Sequence, residues 1–106
     1  MQVENYEGYA SIILPEVIDL INAPEFKKVL KSLYEQNYNM INVDCSQLEM
    51  IDSAGLGSLV LFQKRLKDRG GELKLINVTN DYIKHLFEMI DLARVISINH
   101  SVKEGG

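Results

Sequence analysis

Residues 40–78 read MINVDCSQLEMIDSAGLGSLVLFQKRLKDRGGELKLINV, and the change of pattern along them decides the fold. Met40-Ile41-Asn42-Val43-Asp44-Cys45 is a short, β-rich apolar run of strand length. After the connection Ser46 to Ile51, a helix begins around Ser53 and runs to Asp68. Gly70-Gly71 ends it, as a glycine in left-handed conformation commonly does after a helix. Leu73 to Val78 then returns to a strand. Strand, helix and strand in succession are the repeating unit of an α/β domain, in which helices cover a mostly parallel sheet.

The same alternation extends in both directions. Upstream, Tyr9-Ala10-Ser11-Ile12-Ile13-Leu14 is a strand stopped by Pro15, and a shorter strand is expected near Val3 to Tyr6. Asn22-Ala23-Pro24-Glu25 combines a capping residue, a proline near the first helical position and a glutamate placed to close a capping box. Phe26, Val29, Leu30 and Leu33 follow at helical spacing, which leaves Lys27, Lys28, Lys31 and Glu35 outside. Downstream, Thr79 is expected to cap a third helix with the stripe Ile83, Leu86, Phe87 and Ile90, and Val95-Ile96-Ser97-Ile98 supplies a last strand. Ser101 to Gly106 reads as a frayed tail. The expectation is one small α/β domain spanning residues 1–106, with a four- to five-stranded, mostly parallel sheet and helices packed against it.

Composition narrows the partners. A chain of 106 residues, 46% hydrophobic, holds one core and no second. Its 11 basic and 15 acidic residues give a net charge of -4, with the basic side chains scattered, which argues against nucleic acid as a partner. Cys45 is the only cysteine and ends an apolar run, so a buried, reduced thiol is expected and a disulfide framework is not. With no basic-then-apolar leader at Met1 and no apolar stretch near ~18 residues, the expectation is a cytoplasmic protein with no membrane partner. In the absence of an extensive exposed apolar stripe, a monomer is the default.

The segment Met50-Ile51-Asp52-Ser53-Ala54-Gly55-Leu56-Gly57 carries the chemistry. It sets a hydroxyl at the start of a helix, where N–H groups are unsatisfied and the dipole is positive. A phosphate on Ser53 would add a charge of about -1.5 to -2 there and could meet several backbone donors. Gly55 and Gly57 would keep side-chain bulk away from a phosphate or a partner. Equally, a serine here can be a simple cap and the glycines can serve helix packing. Asp52 can cap the helix or orient the Ser53 hydroxyl, capping being the commoner duty of aspartate. At ~100° per residue Leu56, Leu59 and Leu66 point toward the core, whereas Leu61 falls opposite Leu59 and is expected exposed beside Gly57 and Ser58, as an anchor for a partner.

Catalytic patterns are weak. Gly55-Leu56-Gly57 begins like a dinucleotide fingerprint, but Val60 stands at the third glycine. There is no Walker lysine and no Gly-x-Ser-x-Gly around Ser53. His85 and His100 stand away from Ser53 in sequence, and two histidines with one cysteine match no familiar metal spacing. Neither an enzyme, a cofactor nor a metal is expected. A receiver-type phosphoacceptor domain is a closer architectural rival, but the paired acidic residues after its first strand and the lysine after its fifth are missing.

Asp52-Ser53-Ala54-Gly55-Leu56-Gly57 resembles the Asp-Ser-(Ser/Ala)-Gly-Leu-Gly signature of the STAS family, named for sulfate transporters and anti-sigma factor antagonists. Asp19-Leu20 with Ala23-Pro24-Glu25-Phe26, the strand ending at Asp44, Gly70-Gly71 before Leu73, and Leu86-Phe87 before Leu92 extend the resemblance over nearly the whole chain. It implies a domain whose serine, here Ser53, is phosphorylated by an anti-sigma factor with serine kinase activity and dephosphorylated by a serine phosphatase. The unphosphorylated form binds the anti-sigma factor and frees the sigma factor. Asp52, Gly55 and Gly57 would support the phosphosite, and Asp19, Asn22, Ser58 and Leu61 would face the partner. Glu16-Val17 and Ile21-Asn22 depart from the family's usual residues on that rim. A phosphorylation-independent adaptor, one subunit of a larger signalling or transport assembly, is the alternative.

Overall fold

A computed structural model describes residues 1–100; the expected tail, 101–106, lies outside the described residues. In chain order the elements are strands β1 (Gln2–Asn5), β2 (Ala10–Ile13) and β3 (Val17–Ile18), helix α1 (Ala23–Glu35), strands β4 (Met40–Asp44) and β5 (Met50–Ile51), helix α2 (Ser53–Asp68), strand β6 (Glu72–Ile76), helix α3 (Asp81–Met89), a 3-10 turn at Leu92–Arg94, and strand β7 (Ser97–Ile98). In β4, Ile41 and Val43 are buried while Met40, Asn42 and Asp44 are half-buried, the period of two of a strand with one face on a core. β6 repeats it with Leu73 and Leu75, and the two strands pair in parallel, Ile41 beside Leu73 and Val43 beside Leu75.

The main sheet has five strands in the order β1-β2-β4-β6-β7, antiparallel between β1 and β2 and parallel elsewhere. Phe26, Leu30 and Leu33 of α1 and Leu59, Phe62 and Leu66 of α2 join the buried strand residues in one core. Two polar side chains pin the helices. Gln63 is buried; its Oε1 accepts from the Leu73 N–H at 2.7 Å and its Nε2 donates to the Val95 carbonyl at 3.1 Å. Arg69 donates through Nη2 to the carbonyls of Tyr34 and Tyr38 at 2.7 and 3.0 Å, at the C-terminal end of α1. Its guanidinium carbon lies 3.7 Å from the Tyr34 ring centre.

Several expectations need correction. The Asn22 side chain does not cap α1. Its Oδ1 accepts from the Asp19 N–H at 2.8 Å and its Nδ2 donates to the Val17 carbonyl at 2.7 Å, so the amide is spent on the loop before the helix. Glu25, expected to close a capping box, pairs instead with the Met1 ammonium at 3.1 Å. The third helix is capped by Asn80, which accepts from the Ile83 N–H at 3.0 Å, one residue after Thr79. Ile90 lies beyond the last turn of that helix and is exposed, because Asp91 takes a left-handed conformation (φ 56°) and turns the chain away. Leu56 is half-buried and not fully in the core. Cys45 is buried as expected, and loss of hydration, reinforced by Asp44, pushes its thiol up to about 12.

Candidate functional site: a groove between two helix N-termini

The segment expected to be a plain connection, Ser46 to Ile51, contains β5, which pairs in parallel with β3: Val17 lies beside Met50 and Ile18 beside Ile51. The Asp52 N–H extends this ladder by donating to the Ile18 carbonyl at 3.0 Å. Since β3 leads into α1 and β5 into α2, the two helices start side by side. Between them lies a groove of about 480 Å³. Leu20, Ala23, Pro24 and Lys27 line one wall, and Ser53, Ala54, Gly57, Ser58 and Leu61 the other.

Asp52 is the N-cap of α2, with extended backbone (φ -96°, ψ -179°) and Oδ1 accepting from the N–H groups of Ala54 and Gly55 at 3.0 and 3.1 Å. Ser53 follows as the first residue of the helix, exposed on the groove. The donors expected to meet a phosphate are therefore already engaged at Ala54 and Gly55, and the Leu56 N–H bonds the Asp52 carbonyl at 3.0 Å. A phosphate on Ser53 would not find those three N–H groups free.

The two glycines differ. A Cβ on Gly55 would lie 2.7 Å from Ile18 Cγ2 and 2.8 Å from Ile51 Cγ1. What excludes a side chain at Gly55 is thus the β3–β5 ladder beneath the helix, and not an approaching phosphate. Gly57 is exposed, and a Cβ there would meet nothing within 4 Å.

The residues expected to face a partner are only partly brought together. Leu61 lines the groove, but it is half-buried and packed against the core, because α1 lies against that flank of α2; projection onto the sheet alone left this neighbour out. Ser58 also reaches the groove, yet it is buried and its hydroxyl donates back to the Ala54 carbonyl at 3.2 Å. Asp19 and Asn22 are half-buried and shape the loop before α1: Asp19 Oδ1 accepts from the N–H groups of Ile21 and Asn22 at 3.0 and 3.2 Å. Neither lines the groove. Between them Leu20 and Ile21 are driven outward, 77% and 88% exposed, far more than Leu61. Sequence reasoning missed Leu20, Ala54 and Lys27. The signal for the first was an apolar pair set between two loop-forming polar residues.

Residues 1–105 match the STAS domain family. The chain is 31% identical over 106 residues to an anti-sigma-B factor antagonist of Bacillus subtilis, covering all of this chain and 94% of that one. Among solved structures, the crystal structure of a candidate anti-sigma factor antagonist from Thermotoga maritima superposes with a TM-score of 0.83 at 25% identity, covering 95% of this chain and 86% of that one. The unphosphorylated anti-sigma factor antagonist SpoIIAA superposes with a TM-score of 0.75, covering 95% and 88%; at 16% identity it speaks for the fold alone.

Proposed function

The chain belongs to the STAS domain family, and from that premise we propose that it is an anti-sigma factor antagonist switched at Ser53. With the Ser53 hydroxyl free, it binds an anti-sigma factor that is also a serine kinase, and the sigma factor is released. With Ser53 phosphorylated, the complex does not form until a serine phosphatase restores the hydroxyl. The end-to-end likeness to the Bacillus subtilis antagonist supports the partner class. The observation that carries the switch is the position of Ser53: exposed, first in α2, on the rim of an apolar groove.

In this reading the protein supplies a shape and an acceptor. The kinase brings a nucleoside triphosphate; the Ser53 oxygen bonds to the γ-phosphorus, the bond to the diphosphate breaks, and the hydroxyl proton passes to a base. Asp52 holds the start of α2 in place as its cap, which fixes the hydroxyl outward. The product adds about -1.5 to -2 charge next to the Asp52 carboxylate, on a surface that had met its partner with a neutral hydroxyl. We place the protein in the cytoplasm, where sigma factors act; among the described residues no helix is long and apolar enough to cross a membrane.

The test uses the anti-sigma factor encoded by the same genome. Incubation with it and ATP should phosphorylate the native chain at Ser53, located by mass spectrometry, and abolish binding in calorimetry. Ser53→Ala should bind and stay bound. If Ser53 remains unmodified while binding persists, the protein is a phosphorylation-independent adaptor; phosphate incorporated into Ser53→Ala would show that another residue is the acceptor.

A further inference from the structure

We propose, resting on the reading of Ser53 as the switch, that Lys27 is the counter-ion that registers its state: free on the wall of the groove that faces Ser53, and paired with the phosphate once Ser53 is modified. Lys27 is the one charged residue on the groove's lining. It is exposed on α1, and among the described residues no carboxylate lies within ion-pair distance of it, the two ion pairs being Met1 with Glu25 and Asp91 with Arg94.

The need for such a counter-ion comes from the geometry around Ser53. Asp52 already occupies the Ala54 and Gly55 N–H groups and sets a carboxylate next to the acceptor. A phosphate added there meets a like charge and an occupied helix turn, within a chain of net charge -4. What favours it is the field of the groove. The first residues of α1, Ala23 and Pro24, line it together with those of α2, Ser53 and Ala54, so two positive dipole ends open on the same space as Lys27. The ammonium sits on a flexible four-carbon stem, and a phosphate projects further from the helix than the hydroxyl it replaces. Lys27 and Ser53 line the same groove from its two walls, which places the ammonium to meet the phosphate across it. Phosphorylation then does two things to a partner. It adds negative charge, and it withdraws the cation that an acidic side chain of the partner would have met at the edge of an apolar groove.

The experiment needs neither kinase nor partner. Phosphoserine is installed at position 53 during translation, and the second ionisation of its phosphate is followed by phosphorus NMR across the pH range in the native chain and in Lys27→Met, Lys27→Arg and Lys28→Met. An opposite charge close by favours the dianion, so the native midpoint should lie about half a pH unit or more below that of Lys27→Met. Lys27→Arg should follow the native curve, and so should Lys28→Met, whose lysine is exposed but off the groove. The gap should shrink as salt shortens the screening length from about 30 Å at 0.01 M to about 3 Å at 1 M. Coincident curves for native and Lys27→Met, a Lys27→Arg curve that follows Lys27→Met, or an equal shift in Lys28→Met would overturn the assignment. Any of these would leave the antagonist reading standing, and a Ser53 that no kinase modifies would leave the titration unaffected.

Discussion

Two glycines two residues apart in α2 should respond to the same substitution with opposite sign. In Gly55→Ala the new methyl arrives 2.7 Å from Ile18 Cγ2 and 2.8 Å from Ile51 Cγ1, well inside contact distance. Both neighbours are β-branched and stiff about χ1, and both carbons are bonded directly to Cβ, so neither can swing aside. Relief requires parting α2 from the β3–β5 ladder. Overpacking of this kind costs ~1–3 kcal/mol, and two simultaneous contacts place Gly55→Ala toward the upper end. Against it stands the gain of ~1 kcal/mol from replacing a helical glycine by alanine. The net is a loss of about 1–2 kcal/mol, a drop of roughly 5–15 °C in melting temperature at ~4–8 °C per kcal/mol for a domain near this size. In Gly57→Ala the methyl meets nothing within 4 Å, so the helical gain of ~1 kcal/mol is realised and the melting temperature should rise. Urea titrations of both variants, with slopes checked for constancy, supply the free energies. Shifts of the same sign, or a Gly55→Ala chain as stable as the parent, would refute the packing role given to Gly55.

Other substitutions follow from the same contacts. Asp52→Ala removes the acceptor of two N–H groups and should cost ~1 kcal/mol in urea melts. Gln63→Leu strands the N–H of fully buried Leu73, at ~1–3 kcal/mol, and should speed hydrogen exchange at that amide. Leu20→Asp should weaken the anti-sigma factor complex at unchanged melting temperature, since Leu20 is 77% exposed on the groove, whereas Leu61→Asp should lower both. Cys45 gives a pH signature: its folded thiol stays protonated up to about 12, whereas the unfolded chain loses that proton near ~8.5. The stability this lends is complete below the unfolded value and is lost as pH rises through the folded one, so Cys45→Ala should be less sensitive than the parent to that alkaline window.

What was legible in the sequence is what period and punctuation encode. The alternation of Ile41, Val43, Leu73 and Leu75, the stripe of Phe26, Leu30 and Leu33, and Gly70 at φ 82° after α2 are local facts about which face is buried and where a helix can stop. Caps were less legible. Asn22 had the right chemistry and spacing, but Val17 and Asp19 also offered it partners, and the loop took its amide. Thr79 and Asn80 are both good caps, and only the backbone chooses between them. Leu61 shows a different gap. Its angle around α2 was right, but a helical projection treats the sheet as the only thing to pack on, and the neighbour on that side was α1.

The site itself depends on a feature with no periodic signature. Two-residue strands cannot alternate visibly, so the β3–β5 ladder is silent in the sequence, yet it brings the starts of α1 and α2 together and so creates the groove. Once it is in place, the Asp52-Ser53-Ala54-Gly55-Leu56-Gly57 segment divides into two kinds of residue. Asp52 and Gly55 are required by the fold, one as a cap and the other because the ladder leaves no room for a side chain. Ser53 and Gly57 are not. A helix tolerates many residues at its first position, and at Gly57 alanine would be the more stable choice by ~1 kcal/mol. Both lie on the groove, exposed, facing the wall that carries Lys27. Local stability accounts for Asp52 and Gly55 and does not account for Ser53 and Gly57, the two that the proposed switch would use.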